Sequence, residues 1–121
     1  MLPYLRSLRF ALDGLWHALK TERNLKLFTF LYVLSLLISG ALHISLLDWE
    51  IVIFTGGIFL AFELINTAIE HFTDAFDDHV KAQNDHKTAA IKATKDIAAG
   101  ASLVCAVAWG VILLMIFVSN L

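Results

Sequence analysis

The chain has 121 residues, of which 59% are hydrophobic and 17% charged, and its mean hydropathy is +0.74. An average soluble domain is about 45–50% apolar and about 25% charged, and one this small has too much surface to hide the excess, so the composition points to a single membrane-embedded domain. The net charge of −2 gives no electrostatic grip on nucleic acid, and a lone cysteine, Cys105, excludes an intrachain disulfide and a cysteine-based zinc site.

The fold class expected is all-α. The first element, over about 3–20, carries Leu5, Leu8, Leu12, Leu15, Trp16 and Leu19 at helical spacing, with Arg6, Arg9, Asp13, His17 and Lys20 mostly on the other side. This pattern predicts an amphipathic helix lying on a membrane surface, with Pro3 suited to its start. Leu27 to Leu47 holds 21 residues without Asp, Glu, Lys or Arg. About 20 helical residues cross ~30 Å of hydrocarbon, so a first span is expected over about 25–47. A second span over about 51–75 begins apolar and then admits Glu63, Asn66 and Glu70. The third, over about 97–118, includes an uncharged run from Ile97 to Val118. Between them lies a polar connection over about 76–95, rich in Ala, Lys, Asp and His.

All nine Lys and Arg residues fall at or before the start of the first span or in this connection. The positive-inside rule therefore puts the N-terminus and the connection in the cytoplasm and the C-terminus outside. Trp49 then sits at the outer interface, where an indole is well accommodated.

The strongest local pattern is Glu63, Asn66, Glu70, Asp74 and Asp77. At 3.6 residues per turn these five fall within roughly 80° of one helix face. Glu63 lies about 18 Å along the helix from Ile51, at hydrocarbon depth. A carboxylate there costs about 2.5 kcal/mol or more unless it is paired or faces water, so the face must look inward. Glu22 and the pair Lys95-Asp96 stand at the matching ends of the neighbouring spans. Carboxylates and an amide suit Mg²⁺, a lysine suits phosphate, and a deep carboxylate suits a general base. The set fits Mg²⁺-assisted phosphoryl transfer at the membrane surface. No GxxxxGK[ST], GxGxxG or HRD motif occurs.

Taken alone, Glu63 and Glu70 also suit a small oligomeric subunit that conducts protons or ions. Lys95-Asp96 at the same depth favours the catalytic reading, as does the scarcity of polar residues further outward in the second and third spans, where Ile51 to Phe62 offers only Thr55 and the third span only Ser102 and Trp109. Asp74, Asp77 and Asp78 read as a solvated helix end, and His71 as turned about 100° from Glu70. Gly56-Gly57 reads as a small-residue pair, and Ala98 to Ser102 as a close helix contact.

Glu63-Leu-Ile-Asn66-Thr-Ala-Ile-Glu70, then Asp74 and Lys95-Asp96-Ile-Ala-Ala-Gly-Ala, resembles the bacterial integral-membrane diacylglycerol kinase and undecaprenol kinase family. Phe10-Ala-Leu-Asp-Gly14-Leu and Thr21-Glu22-Arg-Asn24-Leu match its pattern too. The resemblance spans about Leu8 to Phe117. It implies a homotrimer of three-span subunits in the bacterial inner membrane, each with a surface helix, and active sites shared between neighbours at the cytoplasmic interface. The activity implied is transfer of phosphate from ATP, with Mg²⁺, to a lipid alcohol, either diacylglycerol or undecaprenol. By position, Glu63 resembles the general base, Asn66 its polar neighbour, Glu22 and Glu70 the metal ligands, and Lys95 and Asp96 the nucleotide-contacting pair. The chain departs from the pattern in its longer stretch from Asp74 to Lys95, where His79 and His86 both stand as candidates for the family's histidine. It departs also at Phe28, where the undecaprenol branch often has histidine.

Overall fold

The computed structural model describes residues 2–82 and 88–121, with side chains over 2–79 and 89–121. The described chain forms four helices: α1 (Pro3–Thr21), α2 (Arg23–Ala41), α3 (Leu46–Ala82) and α4 (Thr88–Ser119). Three of them are long and apolar enough to cross a membrane, within Arg23–Leu42, Leu46–His79 and Ala89–Ser119. At 1.5 Å per residue α3 runs about 55 Å, well beyond the ~30 Å of a bilayer's hydrocarbon. The polar connection expected over 76–95 is thus helical to Ala82 and again from Thr88. Asp85 and His86 lie outside the described residues.

Local chemistry sets the breaks. Glu22 alone separates α1 from α2, and its extended backbone ends the first helix and begins the second. Its N–H donates to the Ala18 carbonyl, and its own carbonyl accepts from Lys26. Freed from the helical face, its side chain can reach across the molecule.

The apolar run to Leu47 is not one helix. α2 stops at Ala41, and His43 adopts the left-handed conformation with φ of 51°. The Ile44 N–H donates to Ser39 O, and the His43 N–H to Gly40 O. These two bonds form a Schellman cap, which absorbs the last carbonyls of α2 without polar side chains. Ser45 then caps α3 by accepting the Asp48 N–H on its hydroxyl at 3.1 Å. Hydropathy does not register this reversal because the turn itself is apolar.

The three long helices pack antiparallel, with α3 against both of the others. Near the His43 turn, Ile44, Val52 and Ile116 are buried, with Trp49, Leu36 and Phe117 packed around them. Midway, an aromatic layer crosses the bundle. Phe28 of α2 meets Phe59 of α3 edge-on at 4.9 Å between ring centroids, and Phe59 stacks on Trp109 of α4 at 5.3 Å. Tyr32 completes the layer edge-on to Trp109 and donates its hydroxyl to the Ile53 carbonyl at 3.0 Å. Gly56 makes room for it. A Cβ at Gly56 would strike the Tyr32 ring and lie 3.1 Å from Trp109 Nε1. Gly56 is therefore the site of close approach between α2 and α3, and more than a small residue in a span.

Candidate active site

The five-residue polar face of α3 divides among several surroundings. Its deepest members, Glu63 and Asn66, are each 6% exposed. With Glu70 they line a recess of about 220 Å³ enclosed by Asn24 and Phe28 of α2, Phe59 of α3, and Ser102 and Leu103 of α4. The recess is apolar on the side of Phe28, Phe59 and Leu103, and polar on the side of Asn24 and Glu70.

Glu63 receives a hydrogen bond from the Ser102 hydroxyl of α4 on Oε2. Asn66 donates from Nδ2 to Glu70 Oε1 at 3.2 Å. That contact fixes the amide's orientation, since a flipped amide would set its oxygen against a carboxylate. The other end, Asn66 Oδ1, is buried and has no hydrogen-bond partner among the described residues. A buried acceptor left in this state costs roughly 1–3 kcal/mol. The atom is thus available to a donor or a cation.

Glu22 stands on the other flank of α3. Its Oε1 lies 2.7 Å from His71 Nε2. An ionised carboxylate offers only acceptors, so the imidazole is the donor. His17 of α1 sets its ring edge-on to His71, with centroids 6.5 Å apart. The joint between α1 and α2 is thus tied to α3 through one side chain, and α1 lies beside a groove bounded by Gly14, Leu64, Thr67 and His71. The 100° offset expected for His71 is what turns it towards Glu22 and away from α4.

Lys95 of α4 binds Asp74 of α3, with Nζ 2.5 Å from Oδ1. Asp74 is thus an ion-pair partner, where the sequence pattern reads a solvated helix end. Asp96 pairs instead with Lys92 at 2.6 Å, both of them exposed. The four residues share a cleft with Asp77 and Ile91, and beside it Phe72, Phe76, Ile91 and Thr94 border an apolar hollow between the two helices.

The sequence-predicted site residues therefore fall into three neighbouring groups, namely Glu63, Asn66 and Glu70 in the recess, Glu22 with His71, and Lys95 and Asp96 in the cleft. Among the described residues no group of three or more His, Cys, Asp or Glu side chains is arranged to hold a metal ion. The sequence pattern assigns no role to His71, and marks Ser102 as a lone polar residue within a small-residue contact. The signal for Ser102 was present as a hydroxyl on the helix that must cover Glu63.

Comparison with known proteins identifies the family of the chain. The model of the prokaryotic diacylglycerol kinase family matches residues 9–117. An undecaprenol kinase of Bacillus subtilis (strain 168) is 38% identical over 119 residues, covering 98% of this chain and 90% of the relative. A diacylglycerol kinase of Synechocystis sp. (strain ATCC 27184 / PCC 6803 / Kazusa) is 34% identical over 102 residues, covering 84% of this chain and 55% of the relative. No solved structure matches significantly. With three helices fit to span a membrane and a family match over nearly its whole length, the chain belongs to the prokaryotic diacylglycerol kinases, a family of membrane lipid kinases.

Proposed function

We propose that this lipid kinase transfers the γ-phosphoryl group of ATP, with Mg²⁺, to the hydroxyl of diacylglycerol or undecaprenol at the cytoplasmic interface of a bacterial plasma membrane. The observation that carries the reading is Glu63. It is a buried carboxylate between the apolar and polar sides of one recess. A lipid alcohol needs such a boundary, since its tail stays in hydrocarbon while its hydroxyl meets a base.

Glu63 accepts the hydroxyl proton as the lipid O–H bond breaks. The lipid oxygen then bonds to the γ-phosphorus, and the bond from that phosphorus to the bridging oxygen breaks, releasing ADP. Glu70 and Glu22 would hold the metal, and Asn66 steadies Glu70 through its amide. Lys95 offers a point charge to phosphate, with Asp96 beside it in contact with the nucleotide.

The side chains present fit Mg²⁺. The donors are all oxygen, as this ion prefers, and Asn66 Oδ1 is an orphaned buried acceptor among them. Such an ion takes one or two carboxylates plus substrate phosphates, which Glu22 and Glu70 would supply together with the nucleotide. When bound, Mg²⁺ neutralises charge on the phosphate oxygens.

The same reading makes α1 an amphipathic helix on the membrane surface, the N-terminus cytoplasmic and the C-terminus external. It also makes the protein a homotrimer with sites shared between subunits. The exposed apolar side chains of α2 and α4, such as Phe30, Leu37, Val104 and Leu114, then meet lipid or a neighbouring subunit.

The test is transfer of radiolabelled γ-phosphate in detergent–lipid micelles, with diacylglycerol and undecaprenol side by side, with and without Mg²⁺. Mg²⁺-dependent label on either lipid is the expected result, and the ratio of rates assigns the substrate. A folded oligomer that labels neither lipid overturns the reading.

A further inference from the structure

We infer that Ser102 is a positioning residue for Glu63: its hydroxyl, reaching from α4 to Oε2, holds the carboxylate in the rotamer that presents its other oxygen to the lipid hydroxyl. The inference rests on Glu63 being the base.

The observation behind it is a departure from what hydroxyls in this molecule otherwise do. Helical Ser and Thr side chains have a ready local partner in the carbonyl three or four residues earlier. Ser35, Ser39, Thr55, Thr73 and Thr94 all donate there. The hydroxyl of Ser102 donates instead across the helix interface to Glu63. Both residues are buried, Ser102 at 4% exposure and Glu63 at 6%, so water does not readily substitute for the bond. Both also line the same recess.

A Glu side chain has three rotatable bonds and, in a recess of this size, room to swing. Catalysis needs the accepting oxygen within hydrogen-bond reach of the hydroxyl, and small displacements lose large factors in rate. The fold provides two restraints on this face, one for each functional carboxylate. Asn66 holds Glu70 from the same helix, and Ser102 holds Glu63 from the facing one. The two are not equivalent. The Asn66 bond persists as long as α3 is helical, whereas the Ser102 bond exists only while α4 is seated. Ser102 thereby makes the geometry of the base depend on the α3–α4 contact. The small residues beside it, Ala98, Ala99, Gly100 and Ala101, keep α4 slim at this level.

The test compares Ser102→Thr with Ser102→Val, a pair of nearly equal shape that differ by the hydroxyl. Steady-state kinetics in mixed micelles separate kcat from the KM values for ATP and lipid. The Thr variant is expected to retain most of the turnover. Relative to it, kcat of the Val variant falls roughly 10- to 100-fold, the range of one hydrogen bond to a charged group, while KM for ATP stays within about twofold because no nucleotide contact is lost. Ser102→Ala against the native protein makes the same comparison should the valine fail to insert. Equal kcat for Thr and Val, or for Ala and the native protein, overturns the inference. So does a loss shared equally by Thr and Val, which reports shape alone. Glu63→Gln in the same assay tells the two failures apart. If it is inactive while the Ser102 variants are unaffected, only the role of Ser102 fails. If it turns over normally, the assignment of the base fails as well.

Discussion

Two carboxylates of the site are held by side chains from other elements, Glu63 by Ser102 and Glu22 by His71. The second contact explains how a residue in a one-residue break between helices could serve as a metal ligand. Glu22 belongs to neither helix, so no helical face fixes its side chain, and the imidazole supplies the restraint. Partners that orient a ligand are commonly worth about 10-fold or more in metal affinity. His71→Leu is therefore expected to raise the Mg²⁺ concentration for half-maximal activity by roughly 10-fold, with His71→Gln, which keeps an N–H donor, recovering part of it. A Mg²⁺ titration that is the same for all three proteins would exclude this role. The residues of the α4-facing stripe were legible in the sequence because charge at hydrocarbon depth is costly and stands out. His71 was not, because its partner is 49 residues away and a histidine near the interface is unremarkable alone. Ser102 is silent for the opposite reason, since one hydroxyl in an apolar helix costs little.

At the scale of elements, the helices were readable and their junctions were not. Apolar length and periodicity identify α1, α2, α3 and α4. They pass over the turn at His43, which is built from apolar residues and backbone hydrogen bonds. A non-glycine residue in the left-handed region is strained by roughly 1–2 kcal/mol. His43→Gly is expected to raise the thermal midpoint in detergent, by an amount equivalent to about 0.5–1 kcal/mol after the glycine's greater unfolded-state entropy is counted. A lowered midpoint would mean that the His43 Nδ1 contact with the Ala41 carbonyl, at 3.1 Å, outweighs the backbone strain. Gly56 is the converse case, in which the backbone is regular and the space is not. Gly56→Ala pushes a methyl into the Tyr32 ring and is expected to cost about 1–3 kcal/mol. The penalty should vanish in a Tyr32→Ala background, which a double-mutant cycle of thermal midpoints measures. An equal penalty in both backgrounds would place the strain elsewhere.

Over the whole molecule, α3 is the organising element. One face of it supplies the recess and the Lys95 contact to α4, and another receives Glu22 and α1. The aromatic layer of Phe28, Phe59, Trp109 and Tyr32 lies directly outward of Glu63 and closes the bundle there. Beyond the layer the buried hydroxyls of Ser35 and Ser39 and that of Thr55 donate to backbone carbonyls of their own helices, and no ionisable side chain is among them. Trp109 Nε1 is buried within the layer and has no hydrogen-bond partner among the described residues. The outer faces of α2 and α4 remain apolar and uncovered in a single chain, which is the surface a membrane or a second copy would meet.

In the proposed reaction Glu63, at the boundary between hydrocarbon and the polar recess, takes the proton of the lipid hydroxyl. Phosphoryl transfer by Glu63→Gln tests it most directly, because the amide keeps the shape and can still accept from Ser102 but is not a base. General-base catalysis typically contributes about 10²–10⁴-fold. Turnover is expected to fall in that range in a protein whose helicity and thermal midpoint in detergent remain near native. Turnover near that of the native protein would contradict it.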